Sequence, residues 1–575
     1  MMNLKKIPIG IDNFNKLLSQ EKNFLFIDKS LFIKDLIDNG TELSLIIRPR
    51  RWGKTLNMSM LQHFFAAEVN GYATKNLFNN LNIAKIQDGY YLKNFQGQHP
   101  VIFISFKNIK SNSWDLFLDK VGCLIAESYR EHEKVINTSV TVSANQKSIY
   151  NKIVNENSSQ SQLESSIKFL SECLYTHYSK KVIILIDEYD TPLNASHDQD
   201  FFEDLVDFFK NMFGTALKGN DALEFGVMTG ILRLSKNKML SDLNNLKLYS
   251  LTEEQYSNHF GFSEPEVISL VAASKVTVDL TQLNYWYNGY KTGDREDIYN
   301  PWSILNCIYD NGKFKPYWIK TGDEDLLKKV LLNSGEQVKS ELNNLLIGNT
   351  IDSVIDEYLS FDQIKDGNDE VVWSLLWCMG YLKSVGEPLL SGSRYRHQLK
   401  IPNYEIECSY RDILTSFARS FNEGKYDALL KNLVTGNVEL FVKDLEMFML
   451  KIPSYYDLTN ETNYHMLLLA WSFSLNETHD IYSNKEAGLG RPDLVLAPRN
   501  VNNDLGIIIE FKQAALNKKA DFYENIAIEG ITQIDNKKYD VILQNHAHIK
   551  RILKLCLVFF GKQFVCQFKL NQVFN

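Results

Sequence analysis

The sequence has few of the residues that build disordered, fibrous or disulfide-bonded proteins. Its 575 residues include only 12 Pro and 29 Gly, too few for a disordered or collagen-like chain. The seven cysteines form no Cys-x-x-Cys pair, which argues against a zinc ribbon or a disulfide framework. Scattered cysteines of this kind fit a reducing compartment, so we expect a cytoplasmic protein.

Long apolar runs and an excess of positive charge are also missing. The apolar stretch at 466–475 is about half the length of a membrane span and contains two serines. The first residues, MMNLKKIPIGIDNF, have no apolar core of signal-peptide length, so we expect neither a signal peptide nor a membrane segment. The formal net charge of −8 argues against bulk coating of nucleic acid, although a local basic surface stays open.

The length is that of about three or four domains, and residues 24–260 alternate short apolar runs with longer amphipathic ones. This alternation predicts an α/β fold in which helices cover a buried parallel sheet. The residues at 137–166 are rich in Ser, Asn and Gln and predict a surface loop or a mobile insertion. The predicted strands are FLFI at 24, LSLII at 43, VIFISF at 101, VIILID at 182 and EFGVM at 224, and helices are predicted at 55–69 and 200–217.

Residues 43–61, LSLIIRPRRWGKTLNMSML, have the layout of a P-loop, in which a strand, a short loop and a helix follow one another. Gly53 would let backbone N–H groups approach a phosphate at the start of the helix. Lys54 would reach the β- and γ-phosphates of ATP, and the Thr55 hydroxyl would bind Mg²⁺. The predicted nucleotide site also includes Arg51 and Trp52. A basic turn before a helix is the competing interpretation, since Arg48 stands at the position of the usual first glycine.

A second element supports nucleotide binding. Residues 182–190, VIILIDEYD, describe a buried strand that ends in two carboxylates. Asp187 is predicted to bind the Mg²⁺ of MgATP, and Glu188 to orient or activate the attacking water. The next strand ends at Thr229, a candidate sensor of the γ-phosphate. Arg233 follows as a candidate charge stabiliser, for which a structural salt bridge is an equal alternative.

The C-terminal sequence GLGRPDLVLAPRNVNNDLGIIIEFKQ, at 488–513, combines two carboxylates with a lysine. Glu510 and Lys512 share one face of a predicted strand, and a hairpin would bring Asp493 alongside them. Asp493 and Glu510 would hold Mg²⁺, and Lys512 would stabilise the charge that develops during hydrolysis of a phosphodiester. A structural Glu–Lys pair is the alternative interpretation. Glu461 is a candidate further ligand, and Gln533 is predicted to contact the substrate or the lysine.

These motifs together resemble a bacterial family that joins an AAA-ATPase-like domain to a C-terminal PD-(D/E)XK nuclease-superfamily domain. The resemblance spans nearly the whole chain, and it implies that an arginine at position 48 is the family's own form of the loop. It implies an ATPase domain at 1–260, a helical lid and connector at 261–410, and a restriction-endonuclease-like α/β domain at 411–575. The marks are IPIGIDNF, FIDKS, RPRRWGKTL, LIDEYDTPL, TGILR, SDLNNL, HFGFSEPEV, WYNGY, YNPWSIL, PYWIKTG, GRPDLVL with EFK, and QIDNKKY.

Three functions are compatible with these motifs. The first is an ATP- and Mg²⁺-dependent nuclease, for which DNA is the expected substrate and RNA stays open. The second is an ATP-driven regulatory or defence switch whose nuclease-like domain binds nucleic acid or protein without cleaving it. A metabolic kinase is the third, and it leaves the C-terminal motif unexplained. A homo-oligomer is also open, since AAA-like ATPases often work as rings.

Overall fold

The protein is described here by a computed structural model, in which the chain forms two compact units. The first unit contains residues 1–321 and 352–405, and the second contains residues 322–351 and 406–575. The predicted division at residues 260 and 410 stays a prediction. The described residues are 5–19, 21–234, 240, 242–318, 336–346, 348–359, 369–392, 394–421, 423–451, 473–475, 477–483 and 487–572.

The first part of the first unit alternates strands with helices. Its helices are α1 (Phe14–Leu17), α2 (Leu31–Asn39), α3 (Lys54–Phe65), α4 (Asn82–Lys85), α5 (Tyr90–Phe95), α6 (Trp114–Thr138), α7 (Ala144–Val154), α8 (Gln160–Tyr178), α9 (Thr191–Ser196) and α10 (Phe202–Leu217). Its strands are β1 (Leu43–Ile47), β2 (Glu68–Val69), β3 (Tyr72–Ala73), β4 (Val101–Ser105), β5 (Val182–Asp187), β6 (Leu223–Gly230), β7 (Arg233–Leu234) and β8 (Leu246–Tyr249).

Five of these strands form a parallel sheet in the order β4-β5-β6-β1-β8. Every residue of β1 and of β5 is buried, as expected for strands that helices cover on both faces. The predicted α/β fold with a parallel sheet is confirmed. Because β6 lies between β1 and β5, the carboxyl ends of these three strands meet at one edge of the sheet.

Two local predictions in this region are wrong. FLFI at 24 is not a strand, since Phe24 makes only an isolated bridge with Lys6, and β8 is the fifth strand of the sheet instead. The polar segment at 137–166 contains helix α7 and the start of α8 rather than a long loop. Its serines and glutamines form capping boxes at both helix starts, with Ser143 and Gln146 in α7 and Ser159 and Gln162 in α8.

The remainder of the first unit mixes helices with two small sheets. One sheet has the strand order β10-β11-β9 and the other β12-β15-β14, and β7 pairs with β13. Along the chain the elements are β9 (Phe262–Ser263), α11 (Glu264–Ser274), α12 (Leu280–Tyr287), β10 (Tyr290–Thr292), β11 (Arg295–Tyr299), α13 (Pro301–Tyr309), α14 of the second unit (Glu336–Leu346), β12 (Ile351–Val354), β13 (Tyr358–Leu359), α15 (Asp369–Met379), β14 (Lys383–Ser391) and β15 (Arg394–Lys400).

The second unit is built around a mixed sheet in the order β16-β17-β18-β19-β20, in which only β18 and β19 are parallel. Helix α19 connects these two strands, as a parallel crossover requires. The fold agrees with the predicted nuclease-like α/β domain. Along the chain the elements are α16 (Tyr404–Phe421), α17 (Glu423–Val434), α18 (Val438–Lys451), β16 (His479–Ser483), β17 (Leu494–Pro498), β18 (Leu505–Gln513), α19 (Ala520–Asn536), a 3-10 helix (Tyr539–Asn545), β19 (Arg551–Phe560) and β20 (Gln563–Gln572).

Within the described part of the chain, no helix combines the length and the apolar character that crossing a bilayer requires.

Candidate functional site

The loop between β1 and α3 is the predicted phosphate-binding loop and is called the phosphate loop below. Arg51 and Gly53 both have positive φ angles, 65° and 82°, and Gly53 directly precedes the first residue of α3. Lys54 is only 4% exposed, and its Nζ donates to the carbonyl oxygens of Arg48 and Pro49 at 2.9 Å each. Burial lowers the pKa of Lys54. The ammonium group therefore lies within the curve of the loop.

Arg48 lies beneath the loop and is completely buried. Its Nη1 donates to the carbonyl oxygens of Ile47, Tyr249 and Ser250 at 2.7, 2.9 and 2.7 Å, and its guanidinium lies 5.4 Å from the ring centre of Phe260. Burial lowers the pKa of Arg48 to about 10. Arg48 thus ties the end of β1 to the end of β8.

Two further loop residues contact the elements that follow the parallel sheet. The guanidinium of Arg51 lies 4.2 Å above the ring of Trp302 on α13. The ring of Trp52 is buried and packs edge-on against Tyr290, with ring centres 5.3 Å apart. A Cβ at Gly261, whose φ is +77°, would lie 2.4 Å from Ile298 Cγ2 and 3.3 Å from the Trp52 ring, so glycine is needed at this position. Arg51 and Trp52 therefore connect the phosphate loop to the predicted lid.

Asp187, at the end of β5, accepts hydrogen bonds from three hydroxyl groups. Thr229 at the end of β6 donates to Oδ1 at 2.7 Å, while Thr55 on α3 and Ser105 at the end of β4 donate to Oδ2 at 2.9 and 3.0 Å. Asp187 is fully buried, and burial raises its pKa, an effect that these hydrogen bonds oppose. The structure therefore brings together Thr55, Asp187 and Thr229, although Thr55 and Thr229 are more than 170 residues apart in the sequence.

Glu188 follows in a left-handed conformation, with φ of 51°. Its backbone N–H points to the Thr229 hydroxyl at 3.4 Å, and its side chain accepts from Thr191 at 3.2 Å. A left-handed glutamate is a strained backbone position of the kind that is found at functional sites. Glu188 therefore faces the same edge of the sheet as Asp187.

A cavity of about 540 Å³ opens beside the phosphate loop, a volume within the usual range for small-molecule sites. Its polar end is lined by Arg51, Gly53, Lys54, Thr55 and Glu188. The lining also contains the charged residues Asp12, Lys29, Arg50, Lys107 and Lys110. Its apolar residues come from the N-terminal segment, from α3 and from the elements after residue 260. They include Ile11, Leu17, Leu25, Phe26, Ile27, Met60, Phe262, Leu270, Trp302 and Leu305.

One predicted nucleotide-site residue is only partly described. The backbone of Arg233 lies in β7, which pairs with β13 through Tyr358. The side chain of Arg233 lies outside the described part of the structure.

In the second unit, β17 and β18 form the predicted hairpin. Leu494 lies opposite Ile509, and Val495 lies opposite Ile508. Asp493 directly precedes β17, and one further step of this register would bring it opposite Glu510. Asp493 Oδ2 also accepts a hydrogen bond from the Phe511 backbone N–H at 2.7 Å, which fixes the side chain at the end of the hairpin.

Glu510 is 3% exposed and lies at the centre of this cluster. Its Oε1 accepts from Lys512 Nζ at 3.0 Å and from Gln533 Nε2, on α19, at 2.5 Å. Oε2 is buried and has no hydrogen-bond partner among the described residues. Burial raises the pKa of Glu510, and the neighbouring Lys512 ammonium opposes this effect. Asp493, Glu510, Lys512 and Gln533 are thus brought together as a group.

Comparison with known proteins assigns a family to each of the two regions that contain these clusters. Residues 8–240 match the family described as predicted AAA-ATPase, AAA-ATPase-like, and residues 459–569 match the PD-(D/E)XK nuclease superfamily. The chain carries both domains. The recognition made from the sequence motifs is therefore confirmed, and the ATPase-like domain contains Lys54 and Asp187 while the nuclease-superfamily domain contains Asp493 and Glu510.

One relative, whose similarity covers most of this chain, comes from Azotobacter chroococcum mcd 1. It is described as "Uncharacterized protein in vnfD 5'region". The two sequences are 28% identical over 454 residues, which cover 76% of this chain and 77% of the relative. The similarity therefore extends beyond either domain alone.

The residues of the nuclease-superfamily domain fit a divalent cation. Two adjacent carboxylates offer the oxygen ligands that Mg²⁺ prefers, and Glu510 Oε2 is a buried oxygen without a protein donor. No group of three or more His, Cys, Asp and Glu side chains in the described ranges is arranged to hold a metal. Glu461, the candidate further ligand, lies outside the described residues.

Sequence reasoning missed two polar residues at the nucleotide edge. Ser105 donates to Asp187, and its signal was a hydroxyl at the end of the apolar run VIFIS. Asp190 is buried and accepts from the backbone N–H groups of Ile231 and Leu232 at 2.9 and 3.0 Å. Asp190 thereby holds the turn that directly follows β6, whose end carries Thr229.

Proposed function

We propose that the protein binds and hydrolyses MgATP and uses this to control Mg²⁺-dependent cleavage of phosphodiester bonds, with DNA as the substrate. The proposal rests on one observation above all: both sets of reactive side chains, on separate units, are assembled from residues distant in sequence. The seven cysteines, all unbonded, are compatible with the bacterial cytoplasm.

In the ATPase-like domain each residue has a distinct role. Lys54 would leave the carbonyl oxygens of Arg48 and Pro49 for the β- and γ-phosphates, which are stronger partners for an ammonium. Thr55 and Asp187 would hold Mg²⁺, and Glu188 would accept the proton of the attacking water. Thr229 bridges Asp187 and the Glu188 backbone, so it would couple the γ-phosphate to both carboxylates.

Arg51 would add positive charge at the γ-phosphate end of the cavity. Its guanidinium lies on Trp302 and lines the same cavity as Lys54 and Glu188. The apolar walls would receive the base, since aromatic and aliphatic side chains offer stacking and burial.

In the nuclease-superfamily domain, Asp493 and Glu510 would bind the cation, and Lys512 would orient water and stabilise developing negative charge. A bound Mg²⁺ lowers the pKa of its water and offsets charge on the phosphate. Gln533 holds Glu510 in place from α19. Cation binding would require the Glu510 carboxylate in its ionised form, because a protonated carboxyl is a poor ligand.

ATP hydrolysis by Lys54→Ala tests the first half of the proposal. We expect kcat to fall by at least about 100-fold, since an interaction that strengthens in the transition state is lost. The exposed Lys93→Ala variant is the control, and its ATPase rate should equal that of the wild type. Equal rates in Lys54→Ala and Lys93→Ala would contradict ATP hydrolysis at this loop.

Cleavage of plasmid and single-stranded DNA tests the second half. We expect the wild type to cleave with Mg²⁺ and not with a chelator, and Asp493→Asn and Lys512→Ala to be inactive. The exposed Lys518→Ala variant, six residues from Lys512, is the matched control and should cleave normally. Cleavage retained in both Asp493→Asn and Lys512→Ala would contradict the nuclease assignment.

A second candidate is favoured by one observation, the hydrogen-bonded ion pair between Lys512 and Glu510 at 3.0 Å. If that pair is purely structural, the domain binds nucleic acid or protein without cutting and the chain acts as an ATP-driven switch. Nucleotide-dependent assembly without DNA cleavage products would support this function. Cleavage of DNA by the purified wild type with Mg²⁺ or Mn²⁺ would exclude it.

A further inference from the structure

The β14–β15 hairpin of the first unit is locally basic in an acidic protein. Residues 383–400, KSVGEPLLSGSRYRHQLK, contain four Lys and Arg residues and one acid, Glu387, whereas the whole chain has a net charge of −8. The two strands pair in antiparallel fashion with Lys383 opposite Lys400, Leu389 opposite Arg396, and Ser391 opposite Arg394. The hairpin lies outside both catalytic clusters.

The basic side chains lie on one face of the hairpin. His397 and Leu399 are buried, while Arg394, Arg396 and Gln398 are exposed, so the alternation of β15 separates a packed face from an open one. The cross-strand partners place Lys383 and Lys400 on the same side of the hairpin, where both are half-buried.

This face carries like charges that the fold neutralises only in part. Lys383 and Lys400 lie directly opposite each other, a pairing that destabilises a sheet. Neither ammonium group has a hydrogen bond or an ion pair among the described residues, and the same holds for the Arg396 guanidinium. Arg394 pairs with Glu370 at 3.2 Å, but both side chains are exposed, at 58% and 45%, so this bond is weak.

Neighbouring acidic groups offset part of the charge. Lys291 of β10 donates to the Gly386 carbonyl oxygen at 3.1 Å and pairs with Glu296 at 3.4 Å. Burial lowers the pKa of Lys383, an effect that Glu296 and Asp297 oppose and that Lys400 and Lys291 increase. A cluster that retains mutual repulsion is suited to an anionic partner that supplies the missing charge.

We propose that the open face of the β14–β15 hairpin binds the sugar–phosphate backbone of a nucleic acid through Arg394, Arg396, Lys383 and Lys400. Alternate residues of a strand lie about 6.6 Å apart, comparable to the separation of successive phosphates along an extended strand. Guanidinium groups form bidentate bonds with phosphate. Leu389, 71% exposed beside Arg396, offers apolar contact to sugars or bases.

The choice of a nucleic acid over an acidic protein rests on the proposed function, because a nuclease domain in the same chain implies that partner. The hairpin belongs to the first unit, whereas Asp493 and Glu510 belong to the second. Binding by the hairpin would therefore let the unit that contains the ATPase-like domain contact the nucleic acid independently of the nuclease-superfamily domain.

Binding of fluorescent DNA and RNA oligonucleotides by the full chain, with chelator and without ATP, tests this inference. For Arg394→Gln/Arg396→Gln we expect affinity at low salt to fall about tenfold or more. The slope of log K against log[salt] should decrease in magnitude by about 1.4–1.8, the change for two lost phosphate contacts. Arg394→Lys/Arg396→Lys should keep most of the slope, because it keeps the charges and serves as the check on folding.

The matched control is Lys75→Gln/Lys134→Gln, which removes the same charge from exposed positions elsewhere in the unit and should bind as the wild type does. Unchanged binding by the Arg394→Gln/Arg396→Gln variant would overturn the inference, even if the wild type cleaves DNA. An absence of nucleic-acid binding by the wild type would also overturn it. Hairpin-dependent binding without any cleavage would instead support it and contradict only the proposed nuclease activity.

Discussion

A buried guanidinium supports the floor of the phosphate loop. Arg48 Nη1 donates to three backbone carbonyl oxygens at the ends of β1 and β8, those of Ile47, Tyr249 and Ser250. It does not line the cavity with Arg51 and Lys54. Arg48 therefore has a structural role that a glycine cannot perform, although the usual motif has glycine at this position.

Arg48→Gly should consequently destabilise the protein rather than restore an ordinary loop. It would remove the hydrogen bonds to three carbonyl oxygens and leave a cavity of side-chain size, so we expect a loss of about 3 kcal/mol or more in the free energy of unfolding. Urea denaturation measures this, with Arg130→Ala as control, since its ion pair with Glu156 is exposed and contributes little. Stability equal to that of the wild type would contradict the role assigned to Arg48.

A second buried ionisable side chain lies in the predicted lid. Glu405 is fully buried, accepts from Ser303 Oγ at 2.6 Å and from the Trp318 backbone N–H at 2.8 Å, and burial raises its pKa to about 7. The folded state thus holds this proton more tightly than the unfolded chain. The resulting stabilisation is complete below pH 4.5, the ordinary value, and is lost as the pH rises through about 7.

Glu405→Gln should remove this pH dependence. Relative to the variant, the wild type should lose stability as the pH increases from 5 to 8, because only the wild type must ionise a buried carboxyl. Thermal unfolding of both proteins across this range measures the effect. Glu296→Gln, at a side chain that is 61% exposed, should show a constant difference from the wild type. A constant difference for Glu405→Gln would contradict the assignment.

At the scale of secondary-structure elements, helix α19 packs unusually close to strand β19. A Cβ at Gly530 would lie 2.2 Å from Cys556 Sγ, so only glycine allows this approach. Gln533 follows one turn later on α19 and donates to Glu510. The helix position therefore determines how the carboxylate is held.

Gly530→Ala should destabilise the nuclease-superfamily domain by about 1–3 kcal/mol, because overpacking outweighs the gain of about 1 kcal/mol in helix propensity. Cys556→Ala removes the clashing sulfur, so the double variant should recover most of that loss. Denaturant unfolding of the four proteins in a double-mutant cycle measures the coupling. Additive effects would show that the two side chains do not meet.

The elements that sequence reasoning predicted are those with a strong apolar pattern. VIILID and GIIIEFK are buried on both faces and appear as β5 and β18. FLFI at 24 is also a short apolar run, but its residues line the cavity instead of forming a strand. A short apolar run does not show by itself whether its backbone pairs with another strand. The segment at 137–166 was misjudged because Ser and Gln were taken as loop formers, although at 143–146 and 159–162 they cap helices.

The candidate sites were predictable to the level of motifs. Lys54, Asp187 and Glu510 were found because each follows or interrupts an apolar strand. Ser105 and the basic β14–β15 hairpin were not found, because each contributes through strand order or a cross-strand face that a linear pattern does not contain. Contacts of this kind depend on the tertiary fold.

For the whole molecule, the distribution of charge along the chain says more about nucleic-acid contact than the net charge does. The chain carries a net charge of −8, yet residues 461–575 contain 13 Lys and Arg against 12 Asp and Glu, and the hairpin is basic. Contact with nucleic acid is therefore expected to be local and sensitive to salt. If the chain acts as one enzyme, ATP binding and hydrolysis in the first unit must affect the rate of phosphodiester cleavage by the second.

The rate of plasmid cleavage in Mg²⁺, measured with and without ATP for the wild type and Lys54→Ala, tests that link most directly. Lys54 is in the first unit and Asp493, Glu510 and Lys512 are in the second, so a change at Lys54 leaves the cleavage residues intact. The account predicts that ATP changes the cleavage rate of the wild type at least several-fold and leaves that of Lys54→Ala unaltered. Cleavage that is equal in both proteins under all conditions, or no cleavage at all, would contradict it.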